Sequence, residues 1–162
     1  MEEATIPQFG NKLVHEAKLK ELLRNLNSTD FQLCSDASKE FVKLLKSDSG
    51  LEFLSLYIQN SSKCMELEQA WETRKSKTGL YVVLNLISGF FNQYYGKNRV
   101  DKDPKVAVIV NALDKFAKLI VEKRMNDLYK ELNSKEAKRQ RAALSLLASI
   151  ARRSSWMAWE VA

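Results

Sequence analysis

The fold is decided by residues 78–96, TGLYVVLNLISGFFNQYYG, which carry no charged side chain. Apolar and aromatic residues cover nearly the whole circumference of a helix here, which predicts a helix buried on most sides. Thr78 is the predicted N-cap and Gly96 the predicted C-terminal stop. A membrane-spanning helix is the disfavoured alternative, because the stretch is interrupted by five residues that find no partner in lipid: Asn85, Ser88, Gly89, Asn92 and Gln93.

Helical periodicity continues on both sides of this stretch. The other predicted helices cover 11–26, 36–46, 50–71 with a split near 60–62, 104–132 with a bend near 123–124, 135–153, and a last segment, 156–162. Residues 1–9 are predicted to be an irregular lead-in, because Pro7 disfavours a helix across them. Pro104 is predicted at the first position of its helix, where its missing amide is not needed.

The composition indicates one domain built from helices. The 162 residues include only 5 Gly and 2 Pro, while Leu, Lys, Ala and Glu are common. No signal peptide is recognisable after the acidic start Met1-Glu2-Glu3. Since the chain ends inside the apolar segment 156–162, we expect 1–162 to be a single α-helical N-terminal domain, truncated at its C-terminal end.

We predict an all-α fold, and more closely a right-handed solenoid of helical hairpins similar to armadillo and HEAT repeats. Short polar turns join the helices, and the run 142–148 places small residues and leucines where helices approach closely. No strict sequence repeat is present, so a compact helical bundle is the alternative.

Every residue that catalysis or a cofactor would need is either absent from the sequence or better explained by packing. A single histidine, His15, excludes His-based triads and multi-histidine metal sites. The sequence also lacks a P-loop, a G-x-G-x-x-G turn, a C-x-x-C pair and an H-E-x-x-H motif. We therefore predict no enzyme, no cofactor, no metal, no membrane partner and no small-molecule substrate.

Basic residues provide the only candidate site. Residues 97–162 hold 15 Lys and Arg against 8 Asp and Glu, whereas residues 1–96 hold 11 against 12. This excess indicates an acidic partner for the second half, nucleic acid being the commonest, although a solvated helix face is the alternative. The candidate contacts to RNA or to another acidic partner are Lys123, Arg124, Lys135, Lys138, Arg139, Arg141, Arg152 and Arg153.

Four blocks of the chain resemble the N-terminal domain of the nucleolar pre-ribosomal-associated protein family. They are LEFLSLYIQNSSKCMEL (51–67), GLYVVLNLISGFF (79–91), VNALDKFAKLIVEKRMNDLYKELNS (110–134) and AKRQRAALSLLASIARRSSWMAWEV (137–161). The resemblance is strongest at 137–150 and covers roughly two-thirds of the chain. It rests on a pattern of helices and leucines, so no functional residue is carried over from the family.

The resemblance implies a non-catalytic scaffold in early nucleolar assembly of the large ribosomal subunit. Its expected partners are proteins of the pre-ribosomal particle, namely assembly factors and RNA helicases, and ribosomal RNA, and its expected location is the nucleolus within the nucleus. The alternative function is a generic armadillo- or HEAT-type protein–protein adaptor with no RNA contact, in which the basic residues are merely solvated.

Overall fold

A computed structural model of the protein describes residues 6–47, 49–61, 63–95 and 104–153. Within these ranges the chain is all-helical, as predicted. The helices are α1 (Ile6–Leu26), α2 (Phe31–Leu45), α3 (Gly50–Asn60), α4 (Met65–Ser76), α5 (Leu80–Tyr95), α6 (Pro104–Lys123), α7 (Met125–Leu132) and α8 (Ala137–Arg153). None of them is long and apolar enough to cross a membrane. The predicted stop at Gly96 and the predicted segment 156–162 lie outside the described residues.

Several predicted boundaries are confirmed. Pro104 is the first residue of α6, the bend near 123–124 is a break at Arg124, and the split near 60–62 separates α3 from α4. The uncharged helix begins at Leu80, so Gly79, and not the predicted cap Thr78, directly precedes it.

Two predicted starts were wrong for identifiable reasons. The first helix begins at Ile6 and includes Pro7, because a proline in the first turn removes an amide that has no intrahelical partner. The second helix begins at Phe31, five residues before the predicted start, since the Asp30 side chain accepts from the amide of Gln32 at 2.9 Å. That bond is a regular N-cap, and it stabilises the additional turn.

The predicted burial of the uncharged helix is confirmed, and α5 lies at the centre of the packing. It packs most extensively against α8 and also contacts α2, α4 and α6. Eight of its side chains are buried hydrophobics: Leu80, Val82, Val83, Leu84, Leu86, Ile87, Phe90 and Phe91. Asn85 and Asn92 are exposed, whereas Ser88 is only 3% exposed, so the polar interruptions that argued against a membrane helix lie only partly on its solvent-facing side.

An aromatic cluster joins α5 to the first helices. The ring of Phe41 on α2 lies 5.3 Å from Phe53, 5.9 Å from Tyr57 and 5.3 Å from Phe90, centre to centre. All four side chains are at most 1% exposed, and edge-to-face packing of this kind adds to the free energy of burial. The cluster therefore fixes α2, α3 and α5 together.

Small residues allow α8 to approach α5 closely, as the run 142–148 predicted. Ala142 and Ala143 are buried at this contact side, together with Leu146. The Ser149 hydroxyl donates to Asn92 Oδ1 at 2.7 Å and so adds a polar link between the two helices. Leu144, in contrast, is 56% exposed and lies on the outer side of α8.

Candidate functional site

A cleft of about 430 Å³ lies where α4 turns into α5, beside the start of α2 and the ends of α7 and α8 that meet there. Its lining combines six cations, three carboxylates and two aromatic rings. The cations are Arg74, Lys75, Lys77, Lys130, Lys138 and Arg139, the carboxylates are Asp127, Glu131 and Glu136, and the rings are Phe31 and Tyr81. Because helices distant in sequence supply these residues, the cleft is a product of the tertiary fold.

Each carboxylate of the cleft already faces one cation. Lys75 Nζ lies 3.1 Å from Asp127 Oδ1, and Lys138 Nζ lies 3.6 Å from Glu136 Oε2. Arg139 donates through Nε to the carboxylate of Glu131, whose side chain is only 6% exposed. The remaining cations, Arg74, Lys77 and Lys130, have no carboxylate partner among the described residues, so the cleft carries a positive surplus.

Arg74 is the most unusual of these cations, because it is 1% exposed. Its Nη2 donates to the carbonyl oxygens of Ser28 at 3.0 Å and Thr29 at 2.9 Å, which ties α4 to the α1–α2 turn. Its Nε has no hydrogen-bond partner in the described part of the chain. A buried guanidinium normally needs a counter-charge to offset its desolvation.

The positive charge of Arg74 also acts on a neighbouring thiol. Burial raises the pKa of Cys34, while the Arg74 guanidinium opposes that rise by favouring the thiolate.

An aromatic wall closes one side of the cleft. The ring of Phe31 lies 6.3 Å from the ring of Tyr81, and the Arg74 guanidinium lies 5.8 Å from the centre of the Phe31 ring. Gly79 makes this arrangement possible: its φ of +86° favours glycine, and a Cβ there would meet Phe31 Cε2 at 2.2 Å. Lys138 Nζ lies 4.8 Å from the centre of the Tyr81 ring, a cation–π distance.

Two of the eight residues predicted from the sequence lie in this cleft. Lys138 and Arg139 are in the first turn of α8 and line the cleft. Lys135, which was predicted to begin the helix over 135–153, is exposed in the turn before α8. Arg139 has an intramolecular role as well, because its partner Glu131 is buried.

Arg124 holds the fold together and is not a free contact residue. It lies at the break between α6 and α7, bonds to Glu72 and approaches Glu68 Oε1 at 3.5 Å. Its guanidinium also lies 5.8 Å from the centre of a Trp71 ring. Beside this contact, Trp71 Nε1 donates to Asp127 Oδ2 at 2.9 Å, so α4 and the α6–α7 break are joined by several polar bonds.

Four of the other predicted residues are open to a partner. Lys123, Lys135, Arg141 and Arg152 are exposed, and they make no ion pair within the described ranges. Arg153 is the last residue of α8, and its side chain lies outside the described part of the chain. The seven residues whose side chains the structure describes therefore divide into cleft-lining, structural and exposed cations.

Sequence reasoning missed the contribution of the first half of the chain. Arg74, Lys75 and Lys77 belong to the stretch 72–77, which was predicted to be a charged connector after the helix over 50–71. That prediction was wrong, because α4 continues to Ser76. The signal was local: three cations within four residues stand directly before an uncharged helix. It was hidden because residues 1–96 as a whole are nearly balanced in charge.

The arrangement is suited to holding an anion beside a planar group. Lysine and arginine bind phosphate as point-charge and forked donors, and aromatic side chains provide a surface for stacking. Within the described residues, no three His, Cys, Asp or Glu side chains lie together in a way that could hold a metal ion.

Comparisons with known proteins leave the chain without an assigned family. No protein-family model matches it, and neither the curated proteins nor the solved structures gave a match.

Proposed function

We propose that the chain is a non-catalytic scaffold that binds RNA and protein partners during early assembly of the large ribosomal subunit. The main support for RNA binding is the excess of positive charge in the cleft. Arg74, Lys77 and Lys130 lack carboxylate partners among the described residues. Phosphate groups supply the complementary charge. The resemblance of residues 51–161 to the nucleolar pre-ribosomal-associated family supplies the setting, with pre-ribosomal particle proteins as partners and the nucleolus as location.

The exposed cations extend the charged surface beyond the cleft. Lys135 and Arg141 flank the first turns of α8, and neither makes an ion pair in the described ranges. An RNA that enters the cleft beside Lys138 could reach them along the same helix. Arg139 and Arg124 contribute less, since both are bonded to carboxylates.

A right-handed solenoid of helical hairpins is the proposed architecture for this scaffold. Support comes from the packing order: α2 packs on α5 and α5 packs on α8, each separated by two intervening helices in the chain. Stacking of equivalent helices in this way is typical of solenoids, whose extended surfaces bind proteins and nucleic acids. A compact helical bundle stays the alternative, because the buried hydrophobic side chains of the described helices form one cluster that runs from Leu19 to Ile150.

The adaptor function without RNA contact is supported by a different surface. A groove of about 390 Å³ between α2 and α5 is lined by Val42 and Leu86 and by polar residues that include Ser38 and Asn85. The Ser38 hydroxyl is buried beside the Cys34 thiol. Apolar contacts beside polar groups suit a peptide partner.

Purification of the tagged full-length protein from cells, with and without nuclease, tests the proposal. We expect large-subunit precursor RNA and its assembly factors to be enriched, and the RNA to disappear on nuclease treatment. Depletion of the protein should slow maturation of the large subunit. Nuclease-resistant protein partners with no ribosomal RNA would overturn the RNA-binding scaffold and favour the adaptor.

A further inference from the structure

The cleft at the start of α5 has features that a general charge surplus does not explain. A buried guanidinium, two aromatic rings and the first turn of a 16-residue helix converge on one space of about 430 Å³. We propose that this cleft binds one nucleotide of a single-stranded RNA, its phosphate on the cations and its base against Phe31 and Tyr81. This assignment rests on the proposed RNA-binding function and adds to it the form of the RNA and the place where it binds.

Arg74 is the residue proposed to bind the phosphate. This side chain lines the cleft, is 1% exposed, and has an Nε without a partner in the described part of the chain. Two backbone carbonyls satisfy its Nη2 but do not neutralise its charge. A bound anion would provide the counter-charge that a buried guanidinium otherwise lacks.

Lys77 and Lys130 add two further positive charges to the cleft. Both are exposed, both line the cleft, and neither is paired with a carboxylate among the described residues. The three lining carboxylates are each engaged with Lys75, Arg139 or Lys138, so they leave this surplus in place. The charge of the cleft therefore selects an anion.

The N-terminus of α5 also favours binding of an anion in the cleft. Gly79, with φ +86°, turns the chain into the helix, and Gly79, Leu80 and Tyr81 all line the cleft. Amides of a first helical turn lack intrahelical acceptors and carry the positive end of the helix dipole. Anions bind at such ends, and here Arg74 gives the end a charged partner.

The aromatic wall decides between a nucleotide and other anions. Phe31 is 36% exposed, and its ring lies 6.3 Å from that of Tyr81. Base stacking on aromatic rings requires unpaired bases, so the wall favours single-stranded over duplex RNA. An acidic or phosphorylated peptide supplies the charge but no base. The volume of about 430 Å³ lies in the range of small-ligand pockets.

Fluorescence anisotropy with a labelled oligouridylate, titrated at several salt concentrations, tests the assignment. A duplex RNA of equal length and a phosphoserine peptide are the competing probes. Lys77→Gln with Lys130→Gln removes two exposed cleft cations. The matched control is Lys43→Gln with Lys115→Gln, which removes two exposed charges outside the cleft. Tyr81→Leu and Phe31→Leu each remove one ring, and thermal melting verifies that each variant is folded.

We expect the wild-type chain to bind the oligouridylate more tightly than the duplex or the peptide. The double variant Lys77→Gln with Lys130→Gln should bind the oligouridylate more weakly than the wild type. The slope of log affinity against log salt concentration should become shallower by about 1.4, that is, about 0.7 for each RNA phosphate that is no longer neutralised by a lysine. Tyr81→Leu or Phe31→Leu should weaken binding by about tenfold with no change in slope, because stacking is insensitive to salt. The control pair should leave the affinity within about twofold of the wild type, since long-range effects are screened.

Three outcomes overturn the assignment. In the first, the cleft variant Lys77→Gln with Lys130→Gln binds RNA as tightly as the control variant Lys43→Gln with Lys115→Gln, whereas Lys135→Gln with Arg141→Gln abolishes binding. The cleft is then not the RNA site, although the proposed function stands. If the phosphoserine peptide binds tightly and the oligouridylate does not, the ligand class is wrong. If neither single-stranded nor duplex RNA binds, the RNA contact of the proposed function fails as well.

Discussion

The guanidinium of Arg74 lies 5.8 Å from the centre of the Phe31 ring, and both side chains line the same cleft. Arg74 comes from α4 and Phe31 from the first position of α2, so the contact joins two helices as well as shaping a surface. The same arginine bonds to the carbonyls of Ser28 and Thr29. Stability and the proposed ligand contact therefore depend on one side chain.

Arg74→Ala is expected to lower the free energy of unfolding by about 2–4 kcal/mol, since charge-assisted hydrogen bonds contribute about 1.5–3 kcal/mol and two carbonyls lose their donor. Urea denaturation followed by circular dichroism measures this change. Arg74→Lys keeps the charge and one donor, so its destabilisation should be smaller. Equal stability of Arg74→Ala and the wild type would show that the buried bonds are unimportant.

Local patterns predicted the helices well and the cleft poorly. The uncharged run 78–96, the proline at 104 and the break near 123–124 are properties of neighbouring residues. The buried helix within that run, the helix start at Pro104 and the break at Arg124 are each confirmed in the described residues. The cleft combines Arg74 with Lys138, which are separated in the chain by all of α5, α6 and α7. Hydrophobic periodicity assigns the buried face of each helix but does not show which helix ends meet.

The intramolecular roles of the predicted cations were also beyond sequence reasoning. Arg139 and Arg124 resemble Lys135 and Arg141 in their local context, yet the first two are bonded to carboxylates and the last two are not. Only the packing of α4, α7 and α8 distinguishes them. Pro7 and Asp30, in contrast, followed known capping and first-turn rules, so these two boundaries could have been predicted.

Arg139→Gln is expected to destabilise the fold by about 1–3 kcal/mol, because it leaves the buried carboxylate of Glu131 without its charged donor. Lys135→Gln removes an exposed charge in the preceding turn and should change stability by less than about 0.5 kcal/mol. The double variant Arg139→Gln with Glu131→Gln should recover part of the stability, which a double-mutant cycle by chemical denaturation measures. If the stability changes of the two single variants simply add up in the double variant, Arg139 and Glu131 do not stabilise each other.

Gly79→Ala and Gly89→Ala should change stability in opposite directions. At Gly79 the φ of +86° and the Phe31 ring 2.2 Å from an added Cβ predict a destabilisation of about 1–2 kcal/mol. Gly89 lies inside α5, where an added Cβ would lie 3.4 Å from the nearest Val42 carbon, so alanine should stabilise the fold by up to about 1 kcal/mol. Thermal melting compares the two variants, and destabilisation by Gly89→Ala would show that the contact with Val42 leaves no room for an added methyl group.

Leu146 and Leu144 provide a test of the packing of α8. Leu146 is 0% exposed and Leu144 is 56% exposed on the same helix. Leu146→Ala should cost about 2–5 kcal/mol through the cavity it leaves, whereas Leu144→Ala should change stability by less than about 0.5 kcal/mol. Denaturant titration of both variants measures the difference, and similar costs would mean that α8 is oriented differently on α5.

The thiol of Cys64 should make stability depend on alkaline pH. Burial, followed by the charges of Glu66 and Glu68, raises its pKa from an ordinary value of 9.0 to about 12. The thiol therefore stays protonated in the folded chain between pH 9 and 12 but ionises in the unfolded chain. Since the unfolded state then binds fewer protons, stability is full below pH 9 and falls by up to about 1.4 kcal/mol per pH unit above it.

Cys64→Ala removes this titrating group and keeps a residue with a side chain at its left-handed φ of 52°. Denaturant titration from pH 8 to pH 10.5 therefore measures the free energy of unfolding of the wild type and of Cys64→Ala. Below about pH 9 it should depend on pH in the same way in both proteins, and above about pH 9 it should fall more steeply in the wild type. Burial also raises the pKa of Cys34 and of Tyr57, so a smaller decline in stability above about pH 9 should persist in the variant. Identical pH slopes in both proteins would show that Cys64 ionises as readily in the folded chain as in the unfolded one.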